Sequence, residues 1–330
     1  MATRRVNTTF SHTTAASESG GSFLDLLCGR FPYHNRFEWE ERIRDGRVIV
    51  DGNQVYPDFV MQRGMRLEYR VEGYEEPEVP VSFHEIASTE NLALVHKPAG
   101  LPVHKTGKVF VHTLANLYRE QCRDDAWTPL NRLDVETSGI VAFARGRDFL
   151  RRFSPIESQW KKIYLAVVHG EMSSGGSIEL PLAEKAGDII RSRMHPDPDG
   201  KPAKTLFQPL RIHGDKTLVL VRTLTGRKHQ IRCHLAALGF PIVGDKMYSL
   251  EGEYYLKRLE GELDEADIEA LGSPHHLLHA FHLEIRDQDG EGIAATDFDL
   301  PDPFFNGFPE LRESLVSLPA SNIFQQLANA

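Results

Sequence analysis

PLNRLDVETSGIVAFAR, residues 129–145, is the stretch on which the reading of this chain turns. Its second half, Ile140-Val141-Ala142-Phe143-Ala144, is an apolar run of strand length. Thr137-Ser138-Gly139 ahead of it is turn-forming. Arg132 and Asp134 flank Leu133 just before that turn. A carboxylate at the mouth of a turn into a buried strand is costly unless it is solvated, paired or used in chemistry. From this segment alone Asp134 reads as a nucleophile, a base or half of an ion pair. No Gly-x-Ser-x-Gly pattern surrounds Ser138, which makes it a poor nucleophile.

Outward from this stretch, further strands are expected at LALVHK (92–97), KIYLAVVHG (162–170), TLFQPLRI (205–212) and KTLVLVRTL (216–224). Helical patterns lie between them at 111–122, 147–156 and 227–239, the last closed by Gly239 and Pro241. Strands and helices without regular βαβ alternation favour an α+β fold with a central, mostly antiparallel mixed sheet flanked by helices. This larger domain is placed at 83–316. Residues 22–70 read as a small α+β module: a helix at SFLDLLCGRF, a second at WEERIRDG, and a hairpin VIVDGNQV around Asp51-Gly52-Asn53. Residues 1–21 are expected to be a disordered lead, 71–82 an acidic, proline-bearing linker, and 317–330 a C-terminal tail.

The chain has 330 residues, 41% hydrophobic and 26% charged, as expected of a soluble globular protein of one or two domains. Three widely spaced cysteines argue for a reducing compartment, here the cytoplasm. No secretory signal and no run of about 20 apolar residues is found, so no membrane association is expected. The net charge is -9, but its distribution is uneven. Residues 1–91 carry net -5, 92–250 net +9 and 251–330 net -13. A basic middle between acidic ends suits a polyanion bound on one face.

The segment LTGRKHQIRCHLAALGFPIVGDKMY (224–248) concentrates Arg227, Lys228, His229, Arg232 and His234. If the helix starts after Gly226, Lys228 and Arg232 share a face and the backbone N–H groups add anion affinity. Arg232 can hold a buried Asp ionised by charge pairing. Tyr164 sits mid-strand behind Lys161 and Lys162. His275, His276, His279 and His282 have helical spacings but lack the acidic or thiol neighbours of a metal site, so no metal is assigned. No phosphate-binding loop, Gly-x-Gly-x-x-Gly or zinc-spaced cysteines occur, and no cofactor is expected.

Taken together these segments resemble the RluA-type pseudouridine synthases. The signature His-Arg-Leu-Asp-x-x-Thr-Ser-Gly reads here Asn131-Arg132-Leu133-Asp134-Val135-Glu136-Thr137-Ser138-Gly139. HKPAGLPVH (96–104), KKIYLAVVHG (161–170), GRKHQIRCHLAALGFPIVGDKMY (226–248) and LLHAFHLEI (277–285) match further family segments in order. Residues 22–70 resemble the S4-like RNA-binding module of many members. The resemblance implies isomerisation of uridine in structured RNA without a cofactor, with ribosomal RNA favoured; the alternatives are a transfer RNA target or a non-catalytic RNA-binding protein on the same scaffold, and a monomer is the default expectation. It implies Asp134 as the essential carboxylate, Arg232 as its partner and Tyr164 against the uracil. It puts Arg132 in the space left by a flipped base. It places Lys97, Arg227, Lys228, His229, Arg36 and Arg42 on the RNA. Asn131 departs from the family histidine.

Overall fold

Alternation of buried and exposed side chains begins at the first described residue. Strand β1 (Arg5–Thr13) buries Val6 and packs Phe10 edge-on against Phe110, with ring centroids 4.5 Å apart. The computed structural model describes residues 5–31, 34–106, 108–153, 160–190, 192–261, 263–287 and 289–311. The expected disordered lead at 1–21 is therefore corrected over Arg5–Thr13, which is a strand because its apolar side chains meet a partner strand that the linear sequence does not reveal. The expected tail at 317–330 lies outside the described residues.

The chain forms two units, Met1–Glu78 with Lys105–Val111, and Val79–His104 with His112–Ala330. In the first, α1 (Phe23–Arg30) starts at Ser22, whose hydroxyl accepts from Asp25 N. Helix α2 (Arg36–Arg44) starts with an Asn35/Glu38 capping box. Strands β2 (Val48–Val50) and β3 (Arg66–Glu75) complete a sheet of order β1-β3-β2. Phe23, Leu27, Trp39, Ile43 and Met61 are buried in its core. Two expectations fail here. The turn at Asp51-Gly52-Asn53 forms and is closed by an isolated antiparallel bridge between Val50 and Asn53, yet no second strand follows it. The Gln54 amide donates to the carbonyls of Ile43 and Arg44, drawing the chain to the end of α2, and β2 pairs with β3. The expected linker at 71–82 begins inside β3. Lys105–Val111 joins this unit because the Glu76 carboxylate accepts from the amides of Phe110 (2.5 Å) and Val111 (2.6 Å).

The second unit runs β4 (His84–Ser88), β5 (Leu92–Lys97), α3 (Leu114–Cys122), β6 (Trp127–Pro129), β7 (Ser138–Arg145), α4 (Gly146–Phe153) and β8 (Lys161–His169). It continues through β9 (Gly176–Ile178), β10 (Leu182–Glu184), β11 (Met194–Pro196), β12 (Thr205–His213), β13 (Lys216–Thr223) and α5 (Gln230–Ala237). Helices α6 (Glu253–Glu260) and α7 (Glu265–Leu271), strands β14 (Leu278–Arg286) and β15 (Gly292–Thr296), and α8 (Pro303–Gly307) close it. One ten-stranded sheet has the order β4-β5-β7-β14-β8-β13-β12-β9, with β6 on β7 and β15 on β14. Every described pair in it is antiparallel except β7 with β14, so the α+β, mostly antiparallel mixed sheet is as expected. That parallel contact brings Gly139 against Ala280. A Cβ at Gly139 would stand 2.4 Å from the Ala280 carbonyl oxygen, and its φ is +103°, so glycine is needed there. Among the described residues no helix is long and apolar enough to cross a membrane.

Candidate active site

The loop between β6 and β7 is pinned from several sides. Asn131 accepts the Ala142 amide at 2.8 Å, so this departure from the family histidine is built into the backbone of β7. Thr137 N donates to the Asp134 carbonyl at 3.2 Å, closing a turn over Val135 and Glu136. The Val135 carbonyl accepts from Gly100 N (2.8 Å) and from Lys97 Nζ (3.0 Å).

Lys97 is thereby corrected. Its side chain is fully buried, and its three N–H donors meet the carbonyls of Pro98, Leu101 and Val135. Burial pulls its pKa down to about 7 against the opposing pull of Asp134 and Glu136. It props the Asp134 loop from beneath and is shut off from solvent.

Asp134 opens into a cleft of about 580 Å³ lined also by Arg132, Tyr164, Arg227, Lys228, His229 and Arg232. Its Oδ2 accepts from Arg232 Nη1 at 2.7 Å, and His229 Nε2 stands 3.8 Å from Oδ1. Arg232 spends its other edge on a second carboxylate: Nε and Nη2 donate to Asp245 at 2.6 and 2.9 Å. Asp245 Oδ1 also accepts from the amides of Met247 and Tyr248. The Arg232 guanidinium lies 5.1 Å from the centre of the Tyr248 ring. The two acids differ in access, since the Asp134 side chain is 30% exposed and that of Asp245 0%. Asp245 anchors the arginine, and Asp134 is the one a substrate can reach.

Burial alone would raise the Asp134 carboxyl; Arg232, His229 and His276 outweigh it and hold the carboxyl below its usual range. Asp245 shifts the same way under Arg232. Burial pushes His229 down to about 4, against Asp134, so the imidazole beside Asp134 is neutral at pH 7. The site thus offers an ionised carboxylate with Oδ2 locked and Oδ1 accepting no hydrogen bond among the described residues.

The helix behind this site starts later than expected. His229 takes a left-handed conformation (φ 52°) and α5 begins at Gln230, whose side-chain oxygen accepts from Arg227 N and Thr225 Oγ1. Lys228 therefore lies in a loop rather than on the Arg232 face of a helix, and pairs with Glu184 at 2.6 Å. Arg227 Nε donates to the Pro202 carbonyl. Arg132 is exposed at the cleft lip and makes no ion pair among the described residues. Tyr164 and Lys162, two apart on β8, present the same face to the cleft, opposite Val221 and Thr223 of β13. Arg36 and Arg42 belong to the other unit. Arg36 pairs with Asp25 at 2.8 Å, and Arg42 donates to the Tyr69 hydroxyl and the Glu38 carbonyl. Sequence reasoning missed Asp245, Lys162 and Gln230. Asp245 was visible only as the acid of the GDKMY segment.

Residues 91–237 match the RNA pseudouridylate synthase family model. A Synechocystis protein described as an uncharacterised RNA pseudouridine synthase is 34% identical over 241 residues, covering 69% of this chain and 80% of the relative. The chain belongs to the RNA pseudouridylate synthase family. The synthase is also 30% identical over 302 residues to ribosomal large subunit pseudouridine synthase D of Pseudomonas aeruginosa, covering 87% of this chain and 91% of that one. Human RNA pseudouridylate synthase domain containing 1 superposes with a TM-score of 0.55 at 22% identity, over 74% of this chain and 98% of that one, and shares the fold. The synthase is an isomerase that acts on RNA.

Proposed function

We propose that Asp134 is the carboxylate that drives isomerisation of a uridine in structured RNA, most of all ribosomal RNA, in the cytoplasm. The observation that carries this is the ion-pair chain Asp134–Arg232–Asp245, which leaves one ionised, reachable carboxylate oxygen facing the cleft. In the reaction the N1–C1′ bond breaks, the uracil turns, C5 bonds to C1′ and the C5 proton leaves while N1 gains one. Asp134 acts at C1′ or removes the C2′ proton; either route needs the ionised form. Arg232 aims the carboxylate, Tyr164 packs on the uracil, and Arg132 at the lip fills the stack that the flipped base leaves. Arg227 and Lys228 offer phosphate contacts at the rim. The helices and sheet of the first unit, with Arg36 and Arg42, form an S4-like RNA platform.

Ribosomal RNA is favoured by the named Pseudomonas relative, which runs along most of both chains. The catalytic reading is tested with Asp134→Asn. Product formation should fall below detection, a loss of at least about 10⁴-fold, with RNA affinity within about threefold of the parent. Retained turnover removes Asp134 from the chemistry. The target is tested by mapping pseudouridines in total RNA from a deletion strain, where loss of a site in transfer RNA instead would move the assignment.

A further inference from the structure

On the β4 edge of the large sheet, outside the catalytic cleft, His84 and His96 are direct cross-strand partners. Their imidazoles stack with centroids 4.8 Å apart and planes 12° from parallel. Asp297 and Asp299, just after β15, close on the same spot. Donor atoms of His84, His96 and Asp297 all lie within 4.8 Å of one another. Asp299 Oδ2 stands 3.8 Å from His96 Nε2 and 4.0 Å from His84 Nδ1.

The arrangement is oriented from behind. Asp297, 2% exposed, accepts from Asp299 N at 3.0 Å through Oδ1, and its Oδ2 lies 2.7 Å from His96 Nδ1. A carboxylate on one imidazole nitrogen fixes the tautomer and presents the other nitrogen as a lone-pair donor, the usual support for a metal-bound histidine. His84 and Asp299, 51% and 64% exposed, leave an open path and room for water. Two imidazoles and a carboxylate are a borderline donor set, suited to Zn²⁺ or Co²⁺. Metal–ligand bonds of about 2.1 Å in tetrahedral geometry need donors about 3.4 Å apart; Asp299 stands 3.8 and 4.0 Å from the two imidazoles and the rings are near-parallel, so binding requires the exposed His84 ring and the Asp299 carboxylate to rotate toward His96 Nε2.

The geometry points to a binding site for one divalent transition metal ion of the zinc class, with His84, His96 and Asp299 as ligands and Asp297 as the buried support. The ion ties the edge pair β4–β5 to the segment after β15 and takes no part in the isomerisation.

The test uses the full chain, stripped with EDTA and dialysed, titrated with Zn²⁺ by calorimetry and with Co²⁺ by visible absorbance. One saturable equivalent with micromolar or tighter affinity is expected, together with a rise in Tm. His84→Gln and Asp299→Asn should each weaken binding at least tenfold and abolish the metal-dependent rise in Tm. Because both side chains are exposed, the Tm of the metal-free variants should match the parent, as should their turnover on RNA. Binding no tighter than millimolar, or unchanged affinity in the double variant, overturns the proposal.

Discussion

At the scale of the residue, the site depends on one arginine shared between two unlike acids. Asp134 and Asp245 compete for the same guanidinium, but Asp245 takes two of its N–H groups and two backbone amides besides. Bidentate pairing with a buried carboxylate fixes the guanidinium plane, and that plane aims the remaining N–H at Asp134. Arg232→Ala should therefore do two things at once. It leaves Asp245 buried and uncompensated, costing about 3–5 kcal/mol in urea unfolding. It also frees Asp134. Adding Asp245→Leu should recover most of the stability but none of the turnover, which separates the structural role from the catalytic one. Full recovery of turnover in the double variant would place Arg232 outside the chemistry. Asp134, Tyr164 and Arg232 were legible as a set because their segments carry family motifs. Asp245 was not, because an acid that serves only to hold an arginine looks, in sequence, like any loop aspartate.

At the scale of the element, strands were read better than helix starts or buried charges. β5 and β13 fall within a residue of expectation, since continuous apolar runs on a covered sheet leave little ambiguity. The start of α5 was misplaced because Gln230 folds back on the loop before it, an interaction with no linear signature. Lys97 was misread for the opposite reason. A lysine beside Pro-x-Gly in a basic segment resembles a phosphate contact, and only the three carbonyls around its ammonium show otherwise. Lys97→Met should cost on the order of 3 kcal/mol, because it strips donors from buried acceptors. It should lower turnover through the Val135 carbonyl while leaving the salt dependence of RNA binding unchanged. A true phosphate contact would instead reduce that log–log slope by about 1.

At the scale of the whole molecule, buried imidazoles set the response to acid. Burial holds His229 and His276 down at about 4, so both stay neutral in the folded protein while the unfolded chain protonates them below about 6.5. The unfolded state then binds more protons between pH 4 and 6.5, and stability rises with pH across that window, each histidine contributing up to about 1.4 kcal/mol per unit. The depressed carboxyls of Asp134 and Glu136 act lower: their contribution is complete above about pH 4 and is lost below it. Urea midpoints at pH 4.5, 5.5 and 6.5 should climb in turn; a maximum near pH 5 would contradict this. The uneven charge of the chain was legible, and so was a small first unit ahead of a large second one; that β1 and the 105–111 segment join the first unit was not. The pairing of β7 with β14 joins Ser138 to His279, 141 residues later. At about 5–20 residues per second, a ribosome delivers β14 on the order of ten seconds after β7. Through that interval β6 already covers Phe143–Arg145, and only the Ser138–Gly139 end of the strand that follows Asp134 lacks its partner, so the turn that carries Asp134 gains its last backbone support only when the final third of the chain emerges.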